Sequence, residues 1–286
     1  VLGEAGRRVP APTRGDWTPN SGYLAARGLQ QEALERSIQA WRVFEQNRDK
    51  ARLPGLLAQI AGIQIELGEL DDAFYYLGQA RDLIRNADNP YINAQIEYLT
   101  GIALRKQGAL GSATRSLTAA LQFGARAGLQ IQNARVAYEL GQVGLAQGKL
   151  EEAEDYLLDA AQASHSSSDL AFRLQCELAL ADLRTRQHQP LALKHLDNAA
   201  QYATQLDSPA RQADYEDQAA TTRAEFGQMS EAYRHARNYA NLAKKIAAAQ
   251  TSAALSELQT QFQGERKEAE NKLLRNQRTL QQLQLQ

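Results

Sequence analysis

The residue types that support enzymatic or metal chemistry are few and scattered in this sequence. The four histidines are His165, His188, His195 and His235, and the single cysteine is Cys176. His188 and His195 are seven residues apart, but no cysteine or carboxylate completes a metal-ligand set with them, so we expect both to be solvated surface side chains. The sequence contains neither a phosphate-binding glycine-rich loop with a lysine nor a nucleophile elbow. We therefore predict that this chain is not an enzyme and has no cofactor and no metal site.

Tyrosine and arginine have a spacing that suits binding rather than catalysis. Tyr98 and Tyr138 are 40 residues apart, and Arg105 and Arg135 lie near them in the sequence. Both residue types are enriched where binding energy concentrates in interfaces. The spacing predicts an aromatic ladder that contributes to recognition of a partner. The alternative is that the tyrosines only pack between structural units, with their hydroxyls in water.

The interval between the two tyrosines is the period of the whole chain. Glycine recurs at residues 28, 68, 108, 148 and 227, with His188 in the glycine's place, at intervals of 40, 40, 40, 40 and 39 residues. Alanine follows most of these positions by five residues and again by twelve. Self-similarity at a fixed period is typical of one helical unit stacked on copies of itself. We call these six positions the repeat turns.

Each unit has the pattern of a helical hairpin. Apolar residues recur at helical spacing between residues 90 and 107, and Gly108 then ends the helix because glycine enters the left-handed conformation at little steric cost. Asn89 and Ser208 each precede a proline and are expected to cap helices. Small residues lie seven positions before five of the repeat turns, where two helices must approach closely: Ala61, Gly101, Gly141, Ala181 and Ala220. The pattern predicts five to six hairpins and almost no strand.

The turn sequences at 68–73, 108–113 and 148–153 (GELDDA, GALGSA and GKLEEA) resemble the inter-helix turn of the tetratricopeptide repeat (TPR). The resemblance implies an all-α, TPR-like solenoid, which is a right-handed superhelix of helical hairpins. The heptad pattern described below adds a long C-terminal coiled-coil helix. We predict an extended leader at 1–19, a repeat array at 20–245 and the C-terminal helix at 246–286. The usual TPR period is about 34 residues, and HEAT-like hairpins with periods of about 40–47 residues are the rival.

The TPR resemblance also implies where a partner binds. Groove-facing positions lie thirteen, ten and six residues before each repeat turn. Together with Arg105 they give the predicted groove residues: Gln95, Tyr98, Arg105, Arg135, Tyr138, Gln142, Gln175 and Asp182. We expect a protein or peptide ligand in this concave groove. The lysine and asparagine set with which some TPR domains hold a C-terminal carboxylate is absent from the matching positions.

After Tyr239 the 40-residue pattern gives way to a heptad pattern on one continuous helix. Its apolar residues follow 3–4 spacing with one stutter and one polar position, as in a two-stranded coiled coil. The predicted seam residues are Leu255, Leu258, Phe262, Leu273, Asn276, Leu280 and Leu283. They predict a parallel homodimer, although Gly264 weakens the seam. The alternative is a helix that folds back on the solenoid or frays.

The repeat array and its exit helix, with segment 254–277, together resemble the sensory half of bacterial membrane-bound signalling proteins. That resemblance implies a periplasmic sensor domain tethered to the inner membrane, whose output domain is commonly a GGDEF diguanylate cyclase and sometimes a histidine kinase. The chain begins at Val1 and its single methionine is Met229, so we expect a longer parent protein. The alternative is a cytosolic adaptor with a self-associating C-terminal helix.

Composition excludes several other classes. The 32 basic and 33 acidic residues give a net charge of −1, which lacks the basicity expected of a nucleic-acid-binding protein. The sequence holds no run of 18 apolar residues, so no membrane span is predicted within it. With one cysteine there is no intrachain disulfide. Scarcity of cysteine fits the cytosol and the periplasm equally.

Overall fold

A computed structural model describes residues 27–47, 51–85, 87 and 89–284 of the chain. These residues form eleven α-helices and no strand. The helices are α1 (Arg27–Gln46), α2 (Leu53–Leu67), α3 (Leu70–Ile84), α4 (Pro90–Lys106), α5 (Leu110–Arg126), α6 (Gln130–Gln147), α7 (Leu150–Ser164), α8 (Leu170–Arg186), α9 (Leu191–Gln205), α10 (Pro209–Glu225) and α11 (Met229–Gln284). From α2 onward they pair as five successive hairpins. The predicted all-α, TPR-like solenoid is confirmed.

The first helices of the five hairpins, α2, α4, α6, α8 and α10, form the inner layer of the solenoid. Each of the first four contacts the first helix of the next hairpin. The second helices, α3, α5, α7 and α9, make no such contact with one another within the described part of the chain. In a curved stack the layer with the closer neighbours lies on the concave side. The first helices therefore form the concave face.

A Schellman motif ends the first helix of each hairpin. The main-chain N–H of Glu69 donates to the carbonyl oxygen of Gln64 at 2.9 Å, and that of Gly68 donates to Ile65 at 3.3 Å. The same two bonds recur at the four later turns. The glycines at these turns have φ angles of 85°, 86°, 73° and 74°: Gly68, Gly108, Gly148 and Gly227. Only glycine enters this left-handed region at little steric cost, which explains the period seen in the sequence.

Two of the repeat turns differ from these four. His188 adopts a φ of 53° without being glycine, and its N–H donates to Thr185 at 2.9 Å, so the motif holds a conformation that costs an ordinary residue about 1–2 kcal/mol. Gly28 forms no turn, because it lies in the first turn of α1, which begins at Arg27. Glycine accepts the helical region as well as the left-handed one, so its position alone does not define a turn.

Asn89 and Ser208 cap helices as predicted. Asn89 Oδ1 accepts a main-chain N–H of α4 at 3.1 Å, and Ser208 Oγ accepts one of α10 at 3.4 Å. Asp169 caps α8 in the same way, at 3.0 Å. Each oxygen satisfies one of the N–H groups that the first turn of a helix leaves unpaired.

Small residues let the two helices of a hairpin approach closely. A Cβ atom added to Gly101 would lie 2.5 Å from Leu117 Cγ, and one added to Gly141 would lie 2.6 Å from Leu157 Cγ. Both distances are well inside van der Waals contact, and both leucines are fully buried. The small residue seven positions before the turn is therefore a packing requirement at these two hairpins.

We expect Gly101→Ala to lower the free energy of unfolding by about 1 kcal/mol, because overpacking costs about 1–3 kcal/mol and outweighs the gain in helix propensity. Gly78→Ala is the matched control: Gly78 lies inside α3, and a Cβ there would meet nothing within 4 Å. This second substitution is expected to raise stability by about 0.5–1 kcal/mol. Urea denaturation of both variants measures the two signs. Stabilisation by both would show that the hairpin tolerates a wider spacing at Gly101.

The exit helix α11 runs without interruption for 56 residues, a length of about 84 Å. Gly264 lies within α11. The predicted boundary between the repeat array and the C-terminal helix, at residues 245 and 246, also lies inside this one helix. Leu255, Leu258 and Phe262 are 59%, 57% and 68% exposed. The other seam residues also lie on α11, but their side chains are outside what the structure describes: Leu273, Asn276, Leu280 and Leu283.

Helices α1 and α11 are also in contact, so the exit helix touches the first described helix of the solenoid. The repeat pattern does not predict this contact, and it belongs to the alternative in which the helix folds back. Residues 1–19, the predicted leader, lie outside the described residues. Over the part of the chain that is described, no helix has both the length and the apolar character of a membrane span.

Candidate functional site

Two adjoining cavities lie among the first helices of the hairpins. The first, which we name the basic cavity, has a volume of about 230 Å³. Its lining is Gly62, Ile65 and Glu66 from α2, Tyr98, Leu99, Ile102, Arg105 and Lys106 from α4, Arg135, Tyr138 and Glu139 from α6, Phe172 and Gln175 from α8, and Arg211 from α10. The second, the amide cavity, has a volume of about 300 Å³. Its lining is Tyr138, Gln142, Gln175, Leu178, Ala179, Asp182, Arg211, Asp214 and Gln218.

Seven of the eight predicted groove residues line these cavities. The basic cavity has Tyr98, Arg105, Arg135, Tyr138 and Gln175, and the amide cavity shares two of these and adds Gln142 and Asp182. The eighth, Gln95, is only 7% exposed and lines neither cavity. The positions thirteen, ten and six residues before a turn therefore converge on one surface, but a side chain at such a position can still be covered by its neighbours.

Phe172 holds two of the predicted groove residues in place. The guanidinium of Arg135 lies over its ring, 4.7 Å from the centroid, and the ring of Tyr138 meets it edge to face with centroids 6.0 Å apart. Arg135 also pairs with Asp169, the residue that caps α8. Both partners of Arg135 thus belong to the start of the next first helix, which fixes the guanidinium at the cavity wall.

The two tyrosines differ in what they can offer a ligand. Tyr98 is 5% exposed, so it is part of the wall, whereas Tyr138 is half-buried and lines both cavities. Burial, aided by the neighbouring carboxylate of Glu139, raises the pKa of both phenols above the ordinary value of 10.0. Both hydroxyls are therefore neutral hydrogen-bonding groups at physiological pH.

An ion pair between Arg105 and Glu139 joins α4 to α6 beside the basic cavity. Arg105 Nε donates to Glu139 Oε2 at 2.7 Å, and the Glu139 side chain is only 10% exposed. Burial raises the pKa of Glu139 above its ordinary value, and the guanidinium of Arg105, with Lys106 behind it, opposes that shift. The carboxylate is thus held in a dry site by one close cation.

Several lining residues are not among the predicted groove residues, and four of these share one spacing: Lys106, Glu139, Phe172 and Arg211. Phe172 and Arg211 each lie sixteen residues before their turn, Glu139 lies nine before and Lys106 two before. These offsets differ by seven, which is about two helical turns, so they mark a second row on the same helix face. The sequence therefore could have indicated these residues, because the groove-facing stripe on each first helix is wider than the three positions that the TPR resemblance supplies.

The expectation of a solvated His195 is wrong. His195 Nδ1 bonds to Glu177 Oε2 at 2.8 Å, and its side chain is 15% exposed, because the carboxylate on α8 faces it across the hairpin. The same arrangement recurs one repeat later, where His235 Nδ1 bonds to Glu216 Oε2 at 2.6 Å. His188 is 76% exposed. Among the described residues, no group of three or more histidine, cysteine or carboxylate side chains could hold a metal ion.

Neither a protein-family model nor a curated protein matches the chain. Solved structures do. The chain is similar to BtubC (BKLC) from P. vanneervenii, with 18% identity over 78% of this chain and 91% of that one and a TM-score of 0.60. It is similar to NprR in complex with its cognate peptide NprX, with 12% identity over 79% and 74% of the two chains and a TM-score of 0.56. A putative kinesin light chain of Podosopora anserina with TPR-like repeats gives 19% identity over 68% and 97%, with a TM-score of 0.53.

At these identities the similarity establishes the fold and nothing finer. The class defined by the fold is that of TPR-like α-solenoids. In this chain the concave face carries two adjoining cavities with aromatic, amide and charged walls.

Proposed function

We propose that this chain is a peptide-binding repeat domain that takes an extended segment of a partner along its concave face. The observation that carries the proposal is the pair of adjoining cavities lined by the first helices of all five hairpins. The similar NprR structure holds a peptide, which supports the same use of this fold here. Binding along a repeat array suits an extended ligand, because each repeat adds a similar strip of surface.

The two cavities offer complementary chemistry to such a ligand. The amide cavity presents the side-chain amides of Gln142, Gln175 and Gln218. An amide both donates and accepts hydrogen bonds, so it can pair with the main chain of a peptide of any sequence. Tyr138 and Arg135 add the large, oriented contacts that concentrate binding energy. Main-chain contacts would then give affinity, and the aromatic and charged groups would give selectivity.

Removal of Tyr138 is the direct test. We expect Tyr138→Ala to weaken binding of a hexapeptide selected from a random display library by about 2 kcal/mol, or about 30-fold, because its ring lines both cavities. Tyr233→Ala is the matched control, since Tyr233 is 72% exposed on α11 and lines neither cavity. Fluorescence anisotropy gives both dissociation constants, and circular dichroism checks helicity. An unchanged constant for Tyr138→Ala would place the binding surface elsewhere.

We further propose that ligand binding is passed on through α11 to an output domain of a bacterial inner-membrane signalling protein, with the solenoid on the periplasmic side. Support for this step comes from the resemblance of segment 254–277 and from the continuity of α11 with the last hairpin. A diguanylate cyclase is the output we favour. The parent gene tests it: an apolar segment of about 20 residues after Gln286, followed by an output domain, is required.

A cytosolic adaptor is the second candidate, and the contact between α1 and α11 favours it. A helix that touches both ends of the solenoid is suited to fixing the curvature of the groove. If the chain is an adaptor, α11 stabilises the binding domain itself or binds a partner. The parent gene is then expected to encode no apolar segment after Gln286.

A further inference from the structure

The basic cavity concentrates cations beside the proposed peptide path. Four cationic side chains line it, Arg105, Lys106, Arg135 and Arg211, against the two carboxylates of Glu66 and Glu139. Aromatic and aliphatic side chains make up much of the remaining wall. Apolar walls keep water at a distance and so strengthen the interaction of these charges with a ligand.

The three guanidinium groups have donors to spare. Arg105 uses Nε for Glu139, Arg135 uses Nη2 for Asp169, and Arg211 uses Nη1 for Asp214. A guanidinium has five N–H donors, and one carboxylate contact leaves most of them unused. The three arginine side chains are 26%, 17% and 18% exposed, and within the described residues none of their nitrogens is both buried and without a hydrogen-bond partner.

Lys106 has no carboxylate in direct contact within the described residues, although its charge acts at longer range on Glu139. Its Nζ donates to the main-chain carbonyl oxygen of Ile65 at 3.0 Å, which ties α4 to the end of α2. The ion pairs found in the described part of the chain include none to Lys106, and its side chain is exposed to the cavity. A carbonyl oxygen positions the ammonium group without neutralising it, so its positive charge is available to a ligand.

The neighbouring amide cavity has the opposite balance. It presents Asp182 and Asp214 with Arg211 as its one cation. The two cavities share Tyr138, Gln175 and Arg211, so the formal charge of the groove changes sign between them. An anionic group of a ligand is therefore favoured in the basic cavity and disfavoured one step further along the groove.

We propose that the basic cavity binds a carboxylate of the peptide, with Lys106 as its unpaired cation and the spare donors of Arg105 and Arg135 as hydrogen-bonding partners. The inference rests on the proposed peptide-binding function and specifies its ligand. A cavity of about 230 Å³ has room for an aspartate or glutamate side chain or for a chain terminus, given that a water molecule takes about 30 Å³. Both sources present the same carboxylate chemistry.

The test uses the full 286-residue chain and arrays of random hexapeptides in three forms. One form has a free C-terminal carboxylate and no acidic side chains, a second is C-terminally amidated with Asp and Glu included, and a third is amidated without Asp or Glu. We expect the first or second form to be retained about tenfold more strongly than the third. Preference for the first identifies a chain terminus, and preference for the second identifies an acidic side chain.

Two variants assign that preference to the cavity. Lys106→Met keeps the aliphatic stem and removes the charge, and it is expected to reduce the preference severalfold. Lys149→Met is the matched control, because Lys149 pairs with Glu152 in an exposed turn outside both cavities. Retention of all three forms equally, or a preference untouched by Lys106→Met, overturns the inference while leaving peptide binding in place. Retention of no peptide at all overturns the proposed function itself, and the inference with it.

Discussion

Replacing Arg105 with methionine is expected to lower the free energy of unfolding by about 3–5 kcal/mol near neutral pH. The guanidinium is the close cation of Glu139, at 2.7 Å, and that carboxylate is only 10% exposed. Methionine fills much of the same volume but leaves the carboxylate charged, buried and unpaired. Most of the loss therefore comes from the stranded charge rather than from the missing bond.

The pH dependence of the same variant follows from the direction of the Glu139 pKa. Burial already raises this pKa above 4.5, and loss of Arg105 removes the largest influence that lowers it. In the folded variant Glu139 then holds its proton at pH values where the unfolded chain has released it. Stability is therefore greatest below the unfolded pKa and falls as pH rises through the folded one. Urea denaturation should show a smaller penalty at about pH 4.5 than near pH 7.

Two further variants separate this effect from simple loss of an ion pair. Arg85→Met removes a pair whose side chains are 74% and 68% exposed, and it is expected to change stability by less than about 1 kcal/mol. The double variant Arg105→Met with Glu139→Met removes both charges and should recover most of the lost stability. A penalty for Arg105→Met no larger than that for Arg85→Met would mean that water from the cavity solvates Glu139.

The sequence predicts the hairpins well because their signals are local. Gly108 ends a helix with a φ of 86°, and Asn89 caps one by accepting a main-chain N–H at 3.1 Å. Each of these local requirements is met by one residue type at one position, so the sequence reveals it directly. The close approach at Gly101 is equally visible, since only a small residue fits against Leu117. Gly28 shows where this kind of prediction fails, because it lies inside α1 and not at a turn. A glycine indicates that the backbone is free to adopt several conformations, but not which of them it adopts.

The site is predicted in outline only. Repeat positions place Tyr138, Gln142 and Asp182 on one surface, as the structure has them. They do not tell how far a side chain is covered by its neighbours, and Gln95 and Tyr98 are only 7% and 5% exposed. Lys106 and Arg211 reach the basic cavity from the ends of their helices, where side-chain length and the curvature of the stack decide the outcome. The curvature of the stack is the sum of small rotations between successive repeats. The repeat period does not give these rotations, so the contact between α1 and α11 could not be predicted from it.

The exit helix is expected to make the chain a dimer in solution, and a chain that ends at Gln250 is expected to be a monomer. Leu255, Leu258 and Phe262 are all more than half exposed on α11. An extended apolar stripe of this kind is rarely left bare in a soluble monomer. The sequence continues the 3–4 spacing to Leu283, and it places Asn276 where a parallel two-stranded coiled coil can pair an asparagine with its own copy.

A point substitution tests the seam without shortening α11. Phe262→Lys puts a charge into the exposed apolar stripe and is expected to abolish the dimer. Gln263→Lys is the matched control, because the same charge is added one residue further on, at an exposed position outside the seam. Sedimentation equilibrium of the full chain, the shortened chain and both variants gives the four association constants.

The seam is short, so the isolated chain is expected to associate weakly, and tethering of two chains side by side would raise their effective concentration. A dimer lost with Phe262→Lys and kept with Gln263→Lys would assign association to α11. A full chain that stays monomeric at hundreds of micromolar would contradict the prediction, and so would a chain ending at Gln250 that dimerises equally well. In either case the exposed stripe on α11 must be covered by something other than a second copy, and the adaptor proposal, in which a partner binds this helix, becomes the stronger one.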